Sequence, residues 1–199
     1  MSVITQLAKI TQLSYKGRNS RPKTVRFINS DFQYFKELST DLFSHYENDN
    51  TVIVSIHGAD DVKLNVLAIK QFFKTTTNSQ VCSKLRTLKN SNKKVYVTCH
   101  SLGCYLTATC YKQLGYDYPT VMFGPFIPKI DSTTKYLASN PNIKKILYQQ
   151  DLFAKELLNI KERRNVVVYS NNDLVFRTTT NGGHSIANFT KNISRDLKK

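Results

Sequence analysis

Residues 94–114 read KVYVTCHSLGCYLTATCYKQL. Lys94 to Thr98 alternates β-branched and aromatic residues as a strand does. Leu102 to Leu114 has the composition and length of a helix. Between them lies Cys99-His100-Ser101-Leu102-Gly103, so Ser101 sits where a strand turns sharply into a helix. A serine there is lifted above the sheet, and the helix N-terminus offers backbone N–H groups to developing negative charge. The strand and helix backbones nearly collide at such a turn, and Gly103 meets that demand for a small residue. The rival reading of Ser101 is an N-cap serine, a common helix start. The position after a buried strand and before a helix favours a nucleophile.

Outward from this stretch the same alternation repeats. Thr51 to Ile56 (TVIVSI) is a strand buried on both faces, closed by His57-Gly58-Ala59-Asp60. Helices are expected at 64–73 and 81–88, the first better read as a core helix than as a lid. Strands follow at 120–123, before Gly124-Pro125, at 145–148, before Asp151, and at 165–169. Helices follow at 152–160 and 185–197. On the N-terminal side, 2–13 has helical spacing and 23–29 alternates like a strand. Ser30 and Asp31 then open an expected helix with Phe32, Phe35, Leu38, Leu42 and Tyr46 on its buried face. Strands alternating with helices predict an α/β chain with a mostly parallel sheet, flanked by helices on both faces. A length of 199 residues with 40% hydrophobic content fits one domain, 1–199, and excludes wholesale disorder.

VYVTCHSLGCYLTATCYKQL resembles the strand–elbow–helix segment of class 3 lipases, V-T-G-H-S-L-G-G-A-L-A. Residues 53–59 resemble that family's strand ending in R-G-T or R-G-S, and Val121 to Pro125 (VMFGP) its strand ending in F-G-x-P. The likeness covers about residues 51–184. His57 and Ala59 stand for the usual Arg and Thr or Ser, and Cys99 and Cys104 for two glycines. The resemblance implies an α/β-hydrolase fold and hydrolysis of carboxylic esters, as in a lipase, phospholipase or esterase.

In that fold the catalytic order along the chain is serine, acid, histidine. Of the four histidines, His45, His57, His100 and His184, only His184 follows Ser101. It lies after Gly182 and Gly183, just before the last expected helix, and is the candidate general base. Asp151 follows the second strand after the elbow and is the favoured acid. Asp173, after the third, is the alternative. The oxyanion donors expected are the N–H groups of Leu102 and Ala59. His57 and His100 read as supporting side chains. No cofactor is implied, and no Cys/His spacing suggests a metal.

Net charge is +15, from 29 Lys and Arg against 14 Asp and Glu. This favours an anionic membrane surface as a partner beside a lipid or small ester substrate, with Lys144, Lys145, Lys161, Arg163 and Arg164 among the contributors. Nucleic acid is disfavoured, since no binding motif accompanies the charge. Oligomeric state is left open. Cys82, Cys99, Cys104 and Cys110 are expected to be reduced thiols, and the N-terminus shows no signal peptide. The expected location is therefore intracellular, cytoplasmic or peripheral to a membrane. The alternative function is a hydrolase fold kept as a weak or inactive binding or structural component.

Overall fold

The β-branched run at 51–56 and the strands after it line up in parallel, because helices of the intervening chain carry each crossover back along the sheet. The computed structural model describes residues 2–58, 76–128, 130–148, 151, 155–169, 186 and 190. Within them, helix α1 is Val3–Ser14, strand β1 Thr24–Phe27, β2 Ser30–Tyr34, β3 Phe43–Glu47 and β4 Thr51–Ile56. Helix α2 is Thr76–Thr87, β5 Lys94–His100, α3 Leu102–Leu114, β6 Thr120–Phe123, α4 Ser132–Ser139, β7 Ile143–Tyr148 and β8 Val166–Tyr169. The eight strands form one mixed sheet in chain order, antiparallel from β1 to β4 and parallel from β4 to β8. The chain is an α/β protein.

Both faces of the sheet are covered. On one, Val52, Val54, Ile56, Val97 and Met122 meet Val81 and Leu85 of α2, Ala108 and Tyr111 of α3 and Leu137 of α4. On the other, Ile53, Val121, Phe123 and Ile146 meet Leu7 and Ile10 of α1. Successive side chains of a strand point to opposite faces, which is why TVIVSI is apolar at nearly every position. Burial of each such aliphatic side chain contributes about 1.5–3 kcal/mol.

Three expectations are corrected. Residues 30–46 are not a helix: β2 and β3 occupy the stretch. Ile28 and Asn29, both at positive φ (46° and 61°), close a two-residue hairpin from β1 into β2. Phe32 and Tyr46 reach the core by strand alternation rather than helical spacing. The segment between β2 and β3 is held by buried Arg21, whose guanidinium donates to the carbonyls of Ser14, Lys16, Thr40 and Phe43. Cys82 and Cys110 are joined in a disulfide, because α2 and α3 pack side by side and bring the two Cα atoms to 5.0 Å. Only Cys99 and Cys104 are free thiols, both buried. Such bridges persist mainly in oxidising compartments. Lys145 belongs to no surface patch: it is fully buried on β7, and its amine donates to the carbonyls of Asn140 and Arg164 at 2.8 Å each.

The expected helix at 64–73 lies outside the described residues. At 152–160 the described part is a 3-10 helix, Lys155–Asn159. Ile186 and Thr190 are helical, and Ile186 packs on the α1 face.

Candidate active site

The parallel strands β4 to β8 all end at one edge of the sheet, where α/β proteins gather their chemistry. Ser101 stands there, between the last residue of β5 and the first of α3. Its backbone has φ 55° and ψ −127°. Few non-glycine residues adopt positive φ, and holding one there costs about 1–3 kcal/mol. The strain is held by hydrogen bonds. Ser101 N–H donates to Phe123 O at 3.2 Å, while Ser101 O accepts from Cys104 N–H at 3.1 Å and Phe126 N–H at 3.0 Å. The serine hydroxyl makes no capping bond to the helix. Ser101 thus holds the N-cap position without the side-chain bond of a capping serine. Leu102 N–H, in the first turn of the helix, has no intrahelical acceptor.

Two glycines let β4 and the elbow close on each other. A Cβ built on Gly103 would lie 2.7 Å from Ile56 O and 2.8 Å from His57 O. One built on Gly58 would lie 2.7 Å from Ser101 Cβ and 3.1 Å from Leu102 N. The end of β4 therefore presses directly on the serine.

Beneath this contact lies a ring cluster that the sequence did not announce. Tyr15, the C-cap residue of α1, stands over His57 with ring centres 4.8 Å apart and meets His100 edge-on at 5.6 Å. Its hydroxyl lies 2.5 Å from His100 Nδ1 and accepts Gly58 N–H at 3.0 Å. His57 bonds backbone carbonyls through both ring nitrogens, Nδ1 to Gly58 O at 2.6 Å and Nε2 to Asp41 O. The expectation of supporting roles for His57 and His100 fits these contacts. Tyr15 has no sequence signature, because the register of α1 against the sheet decides what its last residue touches.

Behind the elbow, burial pushes the Cys104 thiol well up, and the neighbouring Cys99 thiol and Asp151 carboxylate add to the effect. Cys104 is thus held as a neutral thiol and does not compete as a nucleophile. Asp151, just past β7 and only 2% exposed, lies near enough to the first turn of α3 for its charge to be felt by Cys104. Ala59, Asp173 and His184 lie outside the described residues. Among the described residues no cluster of three or more His, Cys, Asp or Glu side chains is placed to hold a metal ion.

No family model matches the chain, and no curated protein does. Among solved structures it is similar to a hyperthermophilic esterase from the archaeon Pyrobaculum calidifontis. The identity is 12% over all of this chain and 93% of the other, with a TM-score of 0.42, a likeness too slight to bear on function.

Proposed function

We propose that this chain is a serine hydrolase of α/β-hydrolase type, similar to class 3 lipases, that cleaves carboxylic esters. The observation that carries the reading is the backbone of Ser101. It is held at positive φ, at the C-terminal end of a central parallel strand, with a hydroxyl that does not cap the helix it precedes. A strained, well-braced serine at a strand-to-helix turn has a cost that a mere cap would not require.

In this reading Ser101 Oγ attacks the ester carbonyl while His184 removes its proton. The tetrahedral oxyanion is held by Leu102 N–H and Ala59 N–H. His184 then gives its proton to the leaving alcohol, and water repeats the sequence on the acyl-enzyme. Asp151 holds the imidazole in the productive tautomer and stabilises its charged form, with Asp173 as the alternative acid. The depth of Asp151 just past β7 and its closeness to α3 support the choice. The substrate would be a lipid or small ester, met at an anionic membrane surface or in solution.

The test is hydrolysis of a short p-nitrophenyl ester. Ser101→Ala should abolish turnover while the protein stays folded by circular dichroism. Turnover by the variant at the wild-type rate would remove the serine from the mechanism. Absence of turnover in the wild-type protein would favour a binding or structural role.

A further inference from the structure

Helix α1 is fastened to strand β5 at two successive rungs. Thr11 Oγ1 and Thr98 Oγ1 are 2.6 Å apart, and Tyr15 Oη and His100 Nδ1 are 2.5 Å apart. Four residues of helix rise about 6 Å and two residues of strand about 6.6 Å, so the two periodicities match. The second rung continues past the helix. Tyr15 Oη accepts the Gly58 N–H and shares a hydrogen bond with His100 Nδ1. The result is a hydrogen-bonded relay linking Gly58 N–H, the phenol and the imidazole beside Ser101.

The relay acts on the peptide that follows the end of β4. Gly58 has no side chain, and its Cα is packed against Ser101 Cβ. The carbonyl on the other side of the same peptide, His57 O, faces Gly103. The His57–Gly58 peptide is thus gripped by Tyr15 on its N–H side and by α3 on its C=O side. A shift in it moves the surface on which the serine rests.

We infer that Tyr15 is a positioning residue for the ester-cleaving site, its hydroxyl holding the Gly58 backbone against Ser101 and anchoring the His100 ring. The inference rests on the serine-hydrolase reading above. Tyr15 acts through Gly58 and His100, keeping the nucleophile within the narrow geometry that attack requires.

The experiment uses the full chain and three single variants, Tyr15→Phe, His100→Asn and His100→Leu, with the Tyr15→Phe/His100→Leu double. Each is measured for its rate of covalent labelling by a fluorophosphonate, for kcat and KM on a p-nitrophenyl ester, and for Tm. Tyr15→Phe keeps the ring and its contact with His57, so Tm should stay close to wild type. Labelling and kcat should fall about tenfold or more with KM little changed. His100→Asn offers an acceptor near the place of Nδ1 and should retain most of the rate, whereas His100→Leu should not. The double variant should be no slower than the worse single, as expected of two groups in one relay. A Tyr15→Phe protein that labels and turns over like an active wild type overturns the inference and leaves the serine-hydrolase reading intact. So does a loss that only follows the unfolded fraction. A wild-type protein that the probe does not label overturns that reading, and the inference with it.

Discussion

Ser101 and the two glycines around it are one device. Gly103 lets α3 start against the carbonyls of Ile56 and His57, and Gly58 lets β4 end against the serine Cβ. Gly103→Ala drives a methyl into fixed backbone, so it should cost about 1–3 kcal/mol and most of the activity. Gly58→Ala should act chiefly on activity, because the atom it meets most closely is Cβ of Ser101, the proposed nucleophile. Gly17 has nothing within 4 Å of a built Cβ, so Gly17→Ala should stay within about 0.5 kcal/mol of wild type. Thermal unfolding and kcat/KM on the same three proteins check this. Equal tolerance at all three positions would mean that β4 and the elbow are not in contact. The need for Gly103 was legible in the sequence, since it follows the serine at the spacing an elbow requires. The equal need for Gly58 was not, because it comes from a strand 43 residues away in sequence.

At the scale of elements, the parallel half of the sheet was readable and the antiparallel half was not. β4 and β6 are mostly apolar runs followed closely by Gly, and β5 carries Val95 and Val97 into the elbow, a pattern expected of strands covered on both faces. The stretch 30–46 carries apolar residues at a spacing that also suits a helix. Local pattern could not decide there, since the chain linking β2 to β3 is held by Arg21, a cation buried among carbonyls. A basic residue in sequence reads as solvated. Lys145 misleads in the same way within β7. Burial lowers its pKa from 10.5 to about 8, while the unfolded chain keeps the ordinary value. Between these limits the unfolded state binds more protons than the folded one, so this group makes stability rise with pH from about 8 toward 10.5. Half-buried Lys84 is lowered to about 8 by the same cause and acts in the same window. Buried tyrosines such as Tyr46 and Tyr105, raised by burial, act in the opposite sense near pH 10, so Tm of the wild type should climb between about pH 8 and 9, and Lys145→Met should lose part of that climb. An identical slope in the variant would contradict the burial of a titrating amine there.

For the molecule as a whole, the order of strands places Ser101 and Asp151 toward one edge, while Lys161, Arg163 and Arg164 lie exposed before β8 at the other. No helix among the described residues is long and apolar enough to cross a membrane. Two halves of the helical layer are tied together by Cys82–Cys110, across a separation of 28 residues. Closing a loop of that length stabilises by about 3–4 kcal/mol in the chain-entropy account. Reductant or Cys82→Ser should lower Tm accordingly, and thiol titration of the denatured, unreduced protein should count two thiols, Cys99 and Cys104. Four thiols, with no effect of reductant, would contradict the bridge. This pairing was hidden in the sequence, where three of the four cysteines crowd into one strand and helix and the partner of Cys110 lies on another helix.

The central claim is that Ser101 is an activated nucleophile. Its most direct measurement is peptide mapping by mass spectrometry after reaction of the whole protein with a fluorophosphonate, at neutral pH and without denaturant. The expected result is a single phosphonyl adduct on the peptide bearing Ser101, absent from Ser101→Ala and from protein unfolded before the reaction. An unmodified Ser101 in folded protein, or adducts spread over other serines and tyrosines and unaffected by Ser101→Ala, would contradict it.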